Sequence, residues 1–124
     1  MKTQFYICNH CGNIIAMVKN SGIPVQCCGA NMQEIMPGTS DGLQEKHVPV
    51  YNVNGETVSV SVGAAEHPMT DEHNIEWVCV ESEEGLQFKK LNPNTSPQIS
   101  FSLSKGDKVK AVYAFCNQHS LWKA

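Results

Sequence analysis

The chain has 124 residues, 41% of them hydrophobic and 17% charged, which suits one medium domain or a small domain followed by a sandwich-sized one. A net charge of -3 means that the chain has no excess of positive charge, so nucleic acid and anionic membranes are not expected as partners. No apolar run approaches the roughly 20 residues that cross a bilayer. Because Cys8 comes before any signal-peptide apolar core, we expect a cytoplasmic protein.

Residues 1–36 carry four of the six cysteines, as Cys8-x2-Cys11 and the adjacent pair Cys27-Cys28. In a reducing compartment, clustered cysteines are more often metal ligands than disulfides, although two disulfides are the alternative here. A segment this short needs an additional stabilising cross-link to fold, and a metal held by four thiolates would provide one. Because two ligands are sequence neighbours, we expect a distorted tetrahedron. Four sulfur ligands alone do not show whether the bound metal is zinc or iron.

The stretch from Pro37 to Gly42 is rich in turn-forming residues and reads as a linker, with a short helical turn near residues 40–46. Beyond it, short apolar segments separated by turns predict six strands. These are residues 47–53, 57–62, 75–82, 86–91, 99–103 and 109–115. Asn54-Gly55 predicts a two-residue hairpin turn between the first two strands. Six strands without a convincing helix predict an all-β fold built as an antiparallel sandwich.

Alternation along the strands predicts which side chains share a face. The valines of residues 57–62 alternate with serines, so they should face the core together. Ile75, Trp77 and Cys79 are expected to share a face of the third strand. Cys79 lies between two valines, which favours a buried core cysteine.

Four of the five histidines lie at predicted junctions between strands and loops. His47 opens the first sandwich strand, His67 and His73 lie in the connection before residue 75, and His119 follows Cys116 in a Cys-x2-His pattern at the end of the last strand. Taken singly, each histidine is more often a surface residue than a ligand. Loops cluster at the ends of a sandwich, so the four histidines and Cys116 can meet there. Such a set of four nitrogens and one sulfur is too rich for a structural zinc and suggests a redox-active iron.

Five motifs follow one another along nearly the whole chain. They are Cys8-x2-Cys11 with Cys27-Cys28, Glu45 to Val50, Gly63 to Met69, His73 to Trp77 and Phe115 to His119. In these motifs the chain resembles superoxide reductases, and more narrowly the two-iron class, desulfoferrodoxin. Glu-Lys-His-Val-Pro and Cys-Asn-x-His, in this order, are highly specific. The chain departs from the family pattern at Ala114, where relatives often have an acidic residue, and at Ser120, where a glycine commonly follows the last histidine.

The resemblance implies a desulforedoxin-like domain, residues 1–36, followed by an immunoglobulin-like catalytic sandwich, residues 37–124. The first iron would be bound by Cys8, Cys11, Cys27 and Cys28. The second would take His47, His67, His73 and His119 in a plane and Cys116 as the axial ligand. The implied reaction is one-electron reduction of superoxide to hydrogen peroxide, with two protons and an external donor such as rubredoxin. The resemblance also implies a homodimer.

Five ligands leave one coordination position open, where a small oxidant can bind, and the axial thiolate donates electron density to the iron. The mobile ammonium of Lys46 is expected to attract superoxide and to organise a proton-donating water. In the family, Glu45 closes the open position once the iron is ferric. Two other functions stay open at this point: a non-catalytic electron carrier with two metal centres, and a zinc-binding sandwich that acts as an interaction module. Neither has a use for an open sixth position.

Overall fold

The fold is taken from a computed structural model that describes residues 2–40 and 42–124. In that part of the chain there are twelve strands and one helix, and neighbouring strands pair antiparallel, so the predicted all-β class is confirmed. The single helix there has four residues, far short of a membrane-spanning length. The contacts divide the chain into two compact units, one that ends at Met36 and one from Pro37 to Ala124. Asp41 of the predicted linker lies outside the described residues.

The first unit is built from five very short strands. They are β1 (Phe5–Ile7), β2 (Ile14–Ala16), β3 (Gln26–Cys27), β4 (Ala30–Asn31) and β5 (Gln33–Glu34). One sheet has the order β2-β1-β5, and β3 pairs with β4. The buried hydrophobic side chains among residues 2–36 are Phe5, Cys8, Met32 and Ile35. An apolar core this small is typical of a unit that needs an additional cross-link, such as a bound metal, to stay folded.

The second unit consists of one short helix and two sheets. Its elements are α1 (Gln44–His47), β6 (Pro49–Asn54), β7 (Thr57–Val62), β8 (Ile75–Ser82), β9 (Gly85–Lys90), β10 (Gln98–Ser102), β11 (Val109–Cys116) and β12 (Ser120–Lys123). The two sheets have the orders β10-β7-β6 and β12-β11-β8-β9. Side chains from β7 and β10 pack with those from β8 and β11 in one core, which makes the unit a sandwich.

The predicted core face of β7 is confirmed. Val58, Val60 and Val62 are almost completely buried and belong to one cluster with Val80 and Val112 of the facing sheet. Burying one such side chain contributes roughly 1.5 kcal/mol or more. The two sheets are therefore held together mainly by this apolar layer.

The predicted face of β8 is wrong at Ile75. Trp77 pairs with Phe115, but the next pair along the ladder is Cys116 with Ile75, so β8 has an extra residue at this point. This β-bulge turns Ile75 into the sandwich core, while Cys79 stays on the face that carries Trp77. Cys79 is fully buried, as predicted, and burial raises the pKa of its thiol to about 12.

Three features of the sandwich differ from the prediction. His47 is the last residue of α1 and does not open a strand, because β6 begins only at Pro49. The hairpin turn consists of Gly55 and Glu56, and Gly55 takes the positive φ of 62° while Asn54 still pairs with β7.

The third difference is an additional strand. The chain does not end its sheet with β11, because β12 pairs back onto it from Ser120. Leu121 and Trp122 are both buried, so β12 lacks the alternation that reveals a strand in a sequence.

Candidate metal centres

The first unit gathers four thiols in one cluster. The Sγ atoms of Cys8, Cys11, Cys27 and Cys28 all lie within 4.8 Å of one another. The Sγ atom of Cys27 is 3.5 Å from that of Cys11 and 4.0 Å from that of Cys28. A metal–sulfur bond of about 2.3 Å sets the sulfurs of a tetrahedron about 3.8 Å apart, so the cluster fits one ion. All six cysteines lie in the described residues as free thiols, which leaves no disulfide among them.

The backbone of the Cys8–Cys11 turn supports thiolate chemistry. The amide of Gly12 donates to the Cys8 carbonyl at 2.8 Å, and the amide of Cys11 donates to Cys8 Sγ at 3.5 Å. Such backbone donors lower the pKa of Cys8 to about 6, whereas the neighbouring thiols raise that of Cys28 to about 12. Four thiols this close cannot all ionise without a cation between them. Cys28 reaches the cluster beside Cys27 through a positive φ of 53°.

In the second unit, four imidazole rings form a square. Neighbouring ring centroids around it, in the order His47, His67, His73 and His119, are 4.6, 4.7, 5.1 and 4.8 Å apart. The centroids of His47 and His73 are 6.4 Å apart, so these two rings lie on a diagonal. The structure therefore brings together all four histidines that the sequence singled out.

The nitrogens at the centre of this square have the spacing of metal ligands. His47 Nε2 lies 3.1 Å from His67 Nε2 and 3.1 Å from His119 Nδ1. Metal–nitrogen bonds of about 2.1 Å place adjacent corners of a square about 3.0 Å apart. His73 Nε2 is buried with no hydrogen-bond partner, which is costly unless an ion binds it. The four rings thus fit one metal ion.

Backbone carbonyls orient two of the rings. His47 Nδ1 donates to the Leu43 carbonyl at 2.7 Å, and His67 Nδ1 donates to the Pro68 carbonyl at 2.6 Å. Because a carbonyl only accepts, each Nδ1 carries the proton and each Nε2 is left with a free lone pair. Burial lowers the pKa of His47 and lowers that of His67 to about 4. Both rings are therefore neutral at pH 7, which is the form that binds metals.

The fifth donor is the thiol of Cys116, at the end of β11. It is fully buried, and its Sγ atom lies within 4.8 Å of the ligand nitrogens of His47, His67 and His73 and 3.9 Å from His119 Nδ1. Burial raises the pKa of Cys116, while the amides of Gln118 and His119 lower it by hydrogen bonding to the sulfur. A sulfur held by backbone amides and surrounded by imidazoles completes a set of four nitrogens and one sulfur.

The two other predicted residues lie on α1, next to His47. Lys46 is partly buried, and its positive charge contributes to the lowered pKa of both His47 and His73, after the larger effect of burial. The charge of the Lys46 ammonium therefore acts on two of the four rings in the square. The Glu45 side chain is exposed, and its backbone carbonyl accepts a hydrogen bond of 2.8 Å from the Ala65 amide.

Sequence reasoning missed three residues that support this site. Trp122 stacks on His47, Asn117 holds the loop that carries His73, and Gly63 lies directly against the backbone of Lys46. Asn117 and Gly63 stand inside motifs that the sequence did reveal. Trp122 could have been noticed only as an aromatic residue three positions after His119.

Comparison with known proteins agrees with these donor sets. The desulfoferrodoxin family model matches residues 39–124, and the chain is 42% identical over 122 residues to the desulfoferrodoxin of Nitratidesulfovibrio vulgaris, covering 98% of this chain and 94% of that protein. The chain belongs to the desulfoferrodoxin family. It is also 41% identical over 122 residues to the desulfoferrodoxin of Clostridium acetobutylicum, again covering 98% of this chain and 94% of the relative.

Among solved structures, the superoxide reductase from Treponema pallidum is similar over 100% of this chain and 99% of its own, with a TM-score of 0.85 and 35% identity. The desulfoferrodoxin fold is thus shared over both units. Membership of this family, a cluster of four cysteines and a cluster of four histidines with one cysteine are together consistent with two irons per chain.

Proposed function

We propose that the protein is a superoxide reductase. The reaction joins one superoxide, one electron and two protons to give one hydrogen peroxide. The observation that carries the proposal is the convergence of four imidazoles and a buried thiol, with His73 Nε2 left without a partner, in a desulfoferrodoxin-family chain. Structural zinc takes four ligands as a rule, so this set favours iron.

In this proposal His47, His67, His73, His119 and Cys116 would together hold the second iron. Bound iron supplies the one-electron couple for the reaction. The carbonyls of Leu43 and Pro68 keep the ligand nitrogens of His47 and His67 unprotonated. The amides on Cys116 Sγ stabilise its thiolate form.

Lys46 and Glu45 are assigned to the approach of the substrate. The Lys46 ammonium reaches the imidazole square electrostatically, so it can draw in an anion and orient a water that gives up a proton. Glu45 is exposed one residue away, on the same turn of helix. We assign its carboxylate to the metal in the oxidised state, where it would serve as a hard oxygen donor for ferric iron.

The other assignments belong to the same proposal. Residues 1–36 form a desulforedoxin-like domain whose iron is bound by Cys8, Cys11, Cys27 and Cys28 and serves as a relay or a structural clamp. Residues 37–124 form the catalytic domain. A rubredoxin-like protein supplies electrons, and the protein acts as a cytoplasmic homodimer.

The test is the stoichiometry of the reaction with superoxide. Ferrous protein should form one peroxide for each superoxide consumed and should release no dioxygen. A yield of half a dioxygen for each superoxide would mean dismutation and would overturn the proposal. An electron carrier without an open site would react with superoxide far more slowly.

A variant pair tests the ligand set. Cys116→Ser should abolish the thiolate-to-iron absorption of the second centre together with the activity. Cys79→Ala is the matched control, because Cys79 is equally buried and lies outside both metal clusters. It should keep the absorption and the activity. An unchanged spectrum in Cys116→Ser would show that Cys116 is not a ligand.

A further inference from the structure

Asn117 lies in the turn between Cys116 and His119 and contacts the backbone on both sides of His73. Its side-chain Nδ2 donates to the Glu72 carbonyl at 3.0 Å. Its Oδ1 accepts the amide of Asn74 at 2.9 Å, and its own amide donates to the Asn74 carbonyl at 3.1 Å. Three hydrogen bonds from one residue therefore enclose the short segment that carries His73.

The His73 ring needs this kind of support more than two of its neighbours. His47 and His67 are oriented by hydrogen bonds from their own Nδ1 atoms to carbonyls. Within the described part of the chain, the His73 ring has no such bond, and its Nε2 is the buried atom without a partner. The direction of His73 therefore depends on its backbone.

That backbone is held on its other side by a local turn. Thr70 Oγ1 accepts the His73 amide at 3.1 Å, and the Thr70 amide donates to the His73 carbonyl at 2.9 Å. This turn fixes the shape of the loop but does not connect it to Cys116 or His119. Asn117 makes that connection, because it belongs to the turn that carries both of them.

We propose that Asn117 is a positioning residue that fixes His73 relative to Cys116 and His119, so that the donors are preorganised for the metal. The inference rests on the ligand set proposed above. Removing groups that orient metal ligands typically lowers metal affinity or activity about 10- to 100-fold. Gln118 Nε2 also donates to the Glu72 carbonyl, at 2.6 Å, but among the described residues its side chain makes no hydrogen bond to residue 74. Comparing variants of Asn117 and Gln118 therefore distinguishes hydrogen bonding on both sides of His73 from attachment of the loop at Glu72 alone.

The experiment follows the loss of iron from the second centre to a chelator, using its thiolate-to-iron absorption, in the full-length protein. The four-cysteine centre in the same molecule is the internal reference. Asn117→Ala should lose the second iron at least about tenfold faster and shift its absorption band. Gln118→Ala should show a smaller change.

Two controls separate positioning from a general loss of stability. Asn52→Ala changes an exposed asparagine on β6 and should leave the band and the rate of iron loss unchanged. Thermal unfolding of each variant shows whether the sandwich stays folded at the temperature of the measurement. A lower melting temperature with an unchanged band and rate would mean that Asn117 is only a turn residue, and the inference would fail.

Failure of the inference can be distinguished from failure of the proposed function. If wild-type protein holds no iron at the histidine cluster, the ligand set itself is wrong. If wild type binds iron and forms peroxide while Asn117→Ala behaves like wild type in band and rate, the proposed function stands and the role of Asn117 is refuted. If Asn117→Ala and Gln118→Ala change the band and the rate of iron loss equally, the hydrogen bonds of Asn117 on both sides of His73 have no special role, and the inference also fails.

Discussion

The indole of Trp122 lies flat against the imidazole of His47, with ring centroids 4.9 Å apart and an angle of 28° between the rings. Its Nε1 also donates to the carbonyl of His119 at 2.9 Å. One buried side chain on β12 therefore contacts two neighbouring members of the histidine square. This relationship links the last strand of the sandwich to the geometry of the site.

Substitution of Trp122 should separate these two contacts. Trp122→Phe keeps an aromatic face for His47 and loses the hydrogen bond, which should lower the free energy of unfolding by about 1 kcal/mol. Trp122→Ala also removes the stacked surface and should cost about 3–5 kcal/mol. Denaturant unfolding of the metal-free protein measures both values. Equal losses in the two variants would mean that stacking on His47 contributes nothing.

Gly63 should be intolerant of even a methyl group. Its φ is +86°, and a Cβ added there would collide with the Ala65 carbonyl oxygen and would also lie 2.6 Å from the Lys46 carbonyl oxygen and 2.7 Å from its carbon. Gly63→Ala should therefore shift the backbone of Ala65 and α1, lower the free energy of unfolding by more than about 2 kcal/mol and reduce the iron content of the second centre. Unfolding curves and metal analysis measure these two effects.

Gly55→Ala is the matched control for Gly63. Its φ is +62°, but nothing lies within 4 Å of an added Cβ. It should cost about 1–2 kcal/mol, from the backbone alone, and leave the iron content unchanged. If Gly63→Ala loses no more iron than this control, the close approach to Lys46 does not position the site.

Ser120 occupies a backbone conformation that favours glycine. Its φ is +63°, at the point where the turn after β11 enters β12. Ser120→Gly should raise the free energy of unfolding by about 0.5–1 kcal/mol, because it relieves the left-handed strain of a residue with a side chain. Urea unfolding measures the change.

A serine in extended backbone should respond in the opposite direction. Ser100 is exposed in the middle of β10, so Ser100→Gly should lower the free energy of unfolding by about 0.5–1 kcal/mol. The same sign for both substitutions would show that the φ of Ser120 carries no strain.

Lys46→Ile should slow the reaction with superoxide and weaken its dependence on ionic strength. Lys46 directly precedes His47 on α1, and its charge acts on His47 and His73, so it can attract an approaching anion. Lys110→Ile removes the same charge about 20 Å away, six residues before Cys116 on β11. Stopped-flow rates over a range of salt concentrations measure both variants. Equal salt slopes for Lys46→Ile and Lys110→Ile would mean that net charge, and not the position of Lys46, attracts the substrate.

Much of the site was accessible from local sequence because its donors are chemically distinctive. Histidines and cysteines at strand ends have few structural reasons to cluster, so Cys116, His119 and the upstream histidines stood out. The β-bulge before Trp77 was not predictable, since alternation gives no sign of an extra residue until the partner strand fixes the register. The strand at 120–123 was missed for a related reason: both of its central side chains are buried, so it has no polar face.

Residue types and their spacing were sufficient to predict the all-β class, the two groups of metal donors and the chemistry of each group, which is sulfur alone in the first and mainly nitrogen in the second. The folded sandwich was needed to establish the order of the rings around the square, the placement of His47 opposite His73, and which nitrogen of His119 faces the centre. It also brings Trp122 against His47 and Asn117 against the backbone on both sides of His73. The physical reason is that His47 and His119 are 72 residues apart, so their geometry depends on how the sheets pair and pack and not on local preference.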